Sequence, residues 1–259
     1  MRGLKNKVAF ISGGMGDIGM AIATRLTQEG ARVVLGDLKE KDDTLLATRF
    51  QGMAVPDYVQ LNVTLADSWK SAFEQVVALH GRCDILVNNA GVISNQSVPF
   101  SDIDFQEWKR LFSINVDGTF LGIQAGIQAM KNNENGGAIV NMGSIAGFVG
   151  SVGGGSYGSS KSAIINMTQQ AALSAARSGQ KVRINAVHPG YVWTQLVDAT
   201  LSKQFGSEEK ALEAVRAMNP MNQIVSVEDV AATVAFLASE DARMINGTGI
   251  VVDGGRLLQ

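Results

Sequence analysis

Seven short runs rich in Val and Ile, separated by segments long enough for helices, constrain this chain more than any other feature. They are "KVAFIS" (7–12), "ARVVLG" (31–36), "YVQLNV" (58–63), "DILVNN" (84–89), "AIVNMG" (138–143), "VRINAV" (182–187) and "GIVVDG" (249–254). Several are apolar almost throughout rather than alternating, as strands covered by helices on both faces are. Strands of this kind alternating with helices predict an α/β fold: a doubly wound, seven-stranded parallel sheet of Rossmann type.

The intervening segments agree. "GDIGMAIATRLTQEG" sets Ile18, Ile22 and Leu26 at helical spacing before a terminating Gly30, and "ADSWKSAFEQVVALHG" does the same with Trp69, Phe73, Val76 and Val77 before Gly81. Residues 157–179 read as a buried helix ending at Gly179. With no Pro- or Ser-rich linker and no internal repeat, residues 1–259 are expected to form a single domain. Only 195–222, charged in its middle and apolar at its edges, breaks the rhythm, and it is the candidate lid over a substrate.

Composition narrows the functional classes. Lys+Arg 22 against Asp+Glu 24 leaves a net charge of -2 with no basic run, which argues against a nucleic-acid partner. No apolar stretch approaches the ~20 residues of a membrane helix, and the N-terminus lacks a cleavable leader, so a cytoplasmic location is expected. A single cysteine, Cys83, precludes an internal disulfide, and with only His80 nearby it offers no metal site. Its thiol is expected half-buried at the start of a strand.

Gly14-Met15-Gly16-Asp17-Ile18-Gly19 matches G-x-G-x-x-G between a predicted strand and a predicted helix. Glycines there let the backbone approach a pyrophosphate, whose charge meets free N–H groups and the positive end of a helix dipole. About twenty residues on, Asp37 ends the second strand, where a carboxylate accepts from ribose hydroxyls and repels a 2′-phosphate. That favours NAD over NADP, although Lys39 keeps some NADP use open. The alternative for Asp37 is an ordinary turn residue.

Farther on, Tyr157 and Lys161 stand four apart at the start of a helix, and so share one face. An ammonium beside a phenol favours phenolate, which predicts a lowered tyrosine pKa and a base usable near neutral pH. Ser144 follows the fifth strand, where the ligand crevice of such sheets opens.

These motifs, together with "NNAG" (88–91), "SINV" carrying Asn115, "HPGYVWT" (188–194) and "VVDGG" (251–255), resemble the short-chain dehydrogenase/reductase family along essentially the whole chain. Within it, the sequence is most similar to bacterial secondary-alcohol dehydrogenases. The resemblance implies an NAD-dependent oxidoreductase that interconverts a secondary alcohol and a ketone, most often as a homotetramer. It implies that Tyr157 exchanges the proton with the substrate oxygen, Lys161 lowers its pKa and binds the nicotinamide ribose, Ser144 orients the carbonyl, and Asn115 holds a water linking Lys161 to solvent. The turn with Gly13, Gly16, Asp17, Ile18 and Gly19 would take the pyrophosphate. Asp37, Leu38, Asn62, Val63, Asn89, Ala90, Gly91, Pro189, Gly190, Val192 and Thr194 would line the rest of the dinucleotide site. Candidate substrate-pocket residues are Ser94, Phe148, Val149, Tyr191, Leu196 and Val197 beside Ser144. No metal is implied, and His80 and His188 fall on no catalytic position.

Singly, several of these have plainer readings: Ser144 as a loop serine, Asn115 as a polar residue bonding a neighbouring strand, Thr194 as a helix cap. Two departures stand out. Asp17 occupies a position where the family usually has glycine, and it is expected to turn from the phosphates and cap the first turn of its own helix. Asn62 replaces an aspartate that meets the adenine amino group, and its amide oxygen is expected to accept that bond. Competing functions are a 3-oxoacyl-carrier-protein reductase, a hydroxysteroid dehydrogenase and, from another class, a non-catalytic NAD-binding sensor.

Overall fold

The computed structural model describes residues 1–94, 97–151 and 154–259, with the side chains of residues 196, 198–200 and 204 outside that set. The chain runs β1 (Val8–Ser12), α1 (Asp17–Gln28), β2 (Arg32–Asp37), α2 (Asp43–Arg49), β3 (Asp57–Gln60), α3 (Ala66–His80) and β4 (Ile85–Asn88). It continues through α4 (Phe105–Phe112), α5 (Gly118–Met130), β5 (Gly137–Met142), α6 (Gly155–Arg177) and β6 (Val182–Pro189). It ends with α7 (Gln195–Phe205), α8 (Glu208–Ala217), α9 (Val227–Ala238) and β7 (Gly249–Val252).

Among the described residues, seven strands form one parallel sheet in the order β3-β2-β1-β4-β5-β6-β7. The chain moves outward from β1 to β3, then crosses back to β4 and moves the other way. The crevice at this reversal, between the carboxyl ends of β1 and β4, is where such sheets bind ligands.

Both faces of the sheet are covered, which explains the near-continuous apolar strands. Ile11, Leu35, Val87 and Val140 meet α1 and α9 on one side. On the other, Phe10, Leu86, Ile139 and Ile184 meet α3, α5 and α6. Successive residues of one strand serve opposite faces: Phe10 stands edge-on to Phe73 of α3 at 5.3 Å, while Ile11 points toward α1.

Two local expectations change. The third strand stops at Gln60; Leu61 N still donates to Asp37 O at 2.8 Å, after which Asn62 opens a turn by accepting from Thr64 N. Cys83 is fully buried rather than half-buried, and desolvation pushes its thiol up to about 12. The hydrophobic cluster around it includes Val8, Leu86 and Met130, so no water reaches the sulfur.

After β6 the chain leaves the sheet through α7 and α8, joined at Gly206 in the left-handed conformation (φ 84°). Val192 pairs with Val225 in a parallel bridge, which closes the base of this excursion. No described helix is long and apolar enough to cross a membrane.

Candidate active site

Sterics fix the turn between β1 and α1. A Cβ on Gly19 would lie 2.3 Å from Gly13 O, and one on Gly13, whose φ is 63°, would lie 2.7 Å from Ala90 Cα. Gly16, with φ −85° and only ordinary contact at 3.5 Å for an added Cβ, carries no such demand. The turn is therefore anchored by Gly13 and Gly19. Asn89 braces it: its Nδ2 donates to Ser12 O (3.1 Å) and Gly13 O (2.9 Å), while Ser12 Oγ accepts from Asn89 N and Ala90 N. Ile18 packs against the core on the α1 side.

Asp17 does not cap its own helix. The N-cap of α1 is Gly16, with no side-chain hydrogen bond, and Asp17 Oδ2 instead accepts from Gln195 N, 2.8 Å away at the start of α7. The expected cap fails because Asp17 is already the first helical residue: the capping position falls to Gly16, which has no side chain, and the Asp17 carboxylate is engaged by the Gln195 amide.

At the end of β2, Asp37 Oδ2 accepts from Met15 N (2.9 Å) and Oδ1 from Lys39 N (3.0 Å). One carboxylate thus ties the glycine turn to the β2–α2 loop, where Leu38 is exposed. Asn62 differs from expectation: its Oδ1 already accepts from Thr64 N (3.0 Å) and Thr64 Oγ1 (2.7 Å). An adenine amino group would have to displace one of these bonds. Val63 packs against Gly118, and its carbonyl accepts from Trp69 Nε1 at 3.0 Å. A cavity of about 600 Å³ beside the turn is lined by Met15, Asp17, Lys39, Arg49, Trp193 and Thr194, among others.

Ser144, Tyr157 and Lys161 converge beyond the end of β5. Ser144 accepts from Ala146 N at 3.2 Å, which caps a short turn at Ile145–Gly147, and its hydroxyl lies close enough to the Tyr157 side chain to favour the phenolate. Lys161 is buried. Its Nζ donates to Met142 O at 2.8 Å and stands 5.7 Å from the centre of the Tyr157 ring. The loop at Gly91 runs beside the ammonium: a Cβ there would lie 3.3 Å from Asn115 Oδ1 and 3.5 Å from that Nζ.

The electrostatics differ from expectation. Burial pushes the Tyr157 phenol above its ordinary range, and the Ser144 hydroxyl only partly opposes this. Burial also lowers Lys161, to about 8. Desolvation penalises the charged form of both groups, and in this state it outweighs the attraction of ammonium for phenolate. The phenol therefore holds its proton.

Asn115 lies in a single π-helical stretch, Ser113–Asp117, between α4 and α5. Its Oδ1 accepts from Val92 N (2.8 Å) and its Nδ2 donates to Val92 O (2.9 Å) and Ser160 Oγ (3.0 Å). The side chain joins the loop after β4 to α6. Its partners are a loop residue and a helix residue, not a strand.

A family model described as enoyl-(acyl carrier protein) reductase matches residues 14–256. The NADP-dependent (R)-specific alcohol dehydrogenase of Lentilactobacillus kefiri is 39% identical over 260 residues, spanning 99% of this chain and 98% of that protein. The chain belongs to the short-chain dehydrogenase/reductase family. Further relatives include a 3-oxoacyl-(acyl-carrier-protein) reductase of Thermotoga maritima, 34% identical over 98% of this chain and 99% of that one. The solved structure of ElxO with NADP bound superimposes with a TM-score of 0.89 at 30% identity, covering 98% of this chain and 100% of that chain. The chain is accordingly an oxidoreductase of a family that binds nicotinamide dinucleotides.

Around this short-chain dehydrogenase/reductase centre, the pocket candidates are less tightly held. Phe148 and Val149 are exposed, and Phe148 meets His188 edge-on at 4.8 Å. Ser94 Oγ donates to Glu107 Oε1 at 3.3 Å, which turns it toward α4. Tyr191 is exposed beside a small cleft it shares with Val215 and Met218. Thr194 Oγ1 accepts from Val197 N at 3.3 Å, so Thr194 does cap α7; the Leu196 side chain lies outside the described residues. Pro189 ends β6, and Gly190 N donates to Val252 O at 2.9 Å, which extends the β6–β7 pairing by one bond.

His188 keeps a structural place. Cβ atoms on Gly143 and Gly249 would each fall 2.1 Å from its ring nitrogens, so two glycines make room for the imidazole. Burial and the Lys161 charge depress it to about 4, leaving it neutral. His80 bonds Asp57 at 3.0 Å on the surface.

Sequence reading missed the Met142 carbonyl as the Lys161 acceptor, because a main-chain group carries no residue-type signal. It also missed Ser160, although its place beside Lys161 was a usable hint, and Gln195, whose partner lies 178 residues away.

Proposed function

We infer that this protein interconverts a secondary alcohol and a ketone, using NAD as hydride carrier. The single observation that carries this reading is the meeting of Ser144, Tyr157 and Lys161 at the carboxyl end of β5, beside the glycine turn at the sheet's reversal. A nicotinamide dinucleotide, when bound, supplies the hydride chemistry. The residues present fit it: Gly13 and Gly19 let the turn close tightly on itself and against Ala90, where any Cβ would strike backbone, and Gly16, without a side chain, adds nothing over the N-terminus of α1 that a phosphate would meet.

Tyr157 then passes the proton to or from the substrate oxygen, with Ser144 donating to the same oxygen and holding it in line. A phenol kept protonated by burial suits the donor in ketone reduction. Lys161, anchored on Met142 O, places its ammonium where phenolate forms in the reverse direction and where a ribose hydroxyl can accept from it. Asn115 fixes the loop that carries Gly91 and Val92. The excursion 195–222 acts as the lid, and 1–259 as one catalytic domain. Cytoplasmic location and assembly into a tetramer belong to the same reading.

For NAD, the support is Asp37, a carboxylate at the end of β2 with Leu38 rather than a cation after it. The kefiri relative and ElxO are named with NADP, so cofactor choice is tested directly. A panel of aliphatic, cyclic, aryl-alkyl and steroid secondary alcohols, plus a 3-oxoacyl thioester, is run with each dinucleotide while nicotinamide absorbance is followed. Turnover of simple alcohols with NAD is expected. Turnover with NADP alone overturns the cofactor assignment. Preference for the thioester favours the carrier-protein reductase, in keeping with the Thermotoga relative, and binding without turnover favours a sensor.

A further inference from the structure

We propose that Asp17 is a positioning residue: its carboxylate, carried on the glycine turn, holds the first amide of α7 and so couples the dinucleotide-binding turn to the lid. The inference rests on the lid reading given above. The contact is direct, Asp17 Oδ2 to Gln195 N at 2.8 Å. It joins the first residue of α1 to the first residue of α7.

Four amides at the start of any helix lack partners inside it. In α7, Thr194 Oγ1 takes the amide of Val197, and Asp17 takes that of Gln195. Two oxygens from distant parts of the chain therefore serve one helix start. The second differs from the first in kind, because it is an anion at the positive ends of two helix dipoles at once. A charge-assisted bond is stronger than a neutral cap. The rest of the excursion is held at its base by the Val192–Val225 bridge, so the Asp17 contact sits where the lid leaves the carboxyl end of β6.

The coupling has a cost that makes it testable. A pyrophosphate on the turn would bring a second negative group to the start of α1, and like charges repel. Asp17 should therefore order the lid in the empty protein while weakening dinucleotide binding. Asparagine separates the two effects, because it keeps an acceptor oxygen and removes the charge. Glycine removes both.

The test compares wild type, Asp17→Asn and Asp17→Gly. Amide hydrogen exchange is measured on the dinucleotide-free protein, and dinucleotide affinity by calorimetry. Asp17→Gly is expected to speed exchange in the peptide covering the start of α7 by about tenfold, as for loss of one charge-assisted bond. Exchange in β1 and β4 should stay unchanged. Asp17→Asn is expected to keep most of the α7 protection while tightening dinucleotide binding. With a working substrate, the alcohol KM should rise in Asp17→Gly by a larger factor than kcat falls, and Asn should restore it.

Unchanged α7 exchange in Asp17→Gly overturns the proposal, as does an acceleration shared equally by β1 and β4, or an Asp17→Asn variant no better protected than Asp17→Gly. Absence of turnover in wild type overturns the functional reading alone, because the exchange measurement needs neither substrate nor dinucleotide.

Discussion

The two halves of the crevice are built differently. On the dinucleotide side, backbone meets backbone: Gly13 touches Ala90, Gly19 touches Gly13, and Asn89 and Asp37 lock the turn to its neighbours with bonds of 2.9 to 3.1 Å. On the side proposed for substrate, Phe148, Val149 and Tyr191 are exposed side chains on loops. The first half has almost no freedom to vary, while the second can change residue by residue without disturbing the sheet. A fold of this kind keeps one carrier and exchanges substrates.

The largest test falls at the junction. Tyr157→Phe removes the proton path while leaving the ring, and turnover is expected to fall by about 10³-fold. Dinucleotide binding, followed by calorimetry, should persist; loss of both together would mean the halves are not separable.

Next comes the rigid half. Gly19→Ala forces a methyl to within 2.3 Å of Gly13 O, and backbone cannot step aside cheaply. A loss of about 3 kcal/mol in unfolding free energy is expected, read by urea titration. A near-neutral Gly19→Ala would show the turn to be looser than its geometry.

Lys161→Met probes the buried ammonium. The folded lysine titrates at about 8, below its ordinary 10.5, so between those values the unfolded chain binds more protons and wild-type stability rises with pH. Below pH 8 the burial penalty is fully present. Lys161→Met should therefore be more stable than wild type at pH 7, by on the order of 2 kcal/mol, and lose that advantage as pH climbs toward 10.5. Parallel thermal melts at pH 7 and pH 10 check it.

The smallest effect belongs to the exposed half. Phe148→Ala should raise the KM for a bulky alcohol by about threefold to tenfold, roughly 1 kcal/mol of apolar contact, with dinucleotide affinity and melting temperature unmoved. A drop in stability instead would assign Phe148 to the core through its edge contact with His188.

Much of this was legible in the sequence. Strands buried on both faces announce themselves by unbroken Val and Ile, and the spacing of Ser144, Tyr157 and Lys161 survives as geometry because α6 is a regular helix beginning beside β5. What escaped depended on distant partners or on burial. Asp17 reads as a cap for its own helix until α7 is seen beside it. Asn62 reads as an open acceptor until Thr64 is seen occupying it. The Tyr157 proton affinity goes up rather than down because the depth of a side chain, which no spacing encodes, decides it.

The lone thiol has a practical consequence. Cys83 is enclosed and held protonated, at about 12, so alkylating reagents have no nucleophile to find in the folded protein. Once β4 separates from β1, the sulfur becomes an ordinary exposed cysteine. The rate at which a maleimide dye attaches is then a clock for opening at the centre of the sheet, built into the chain without any added label.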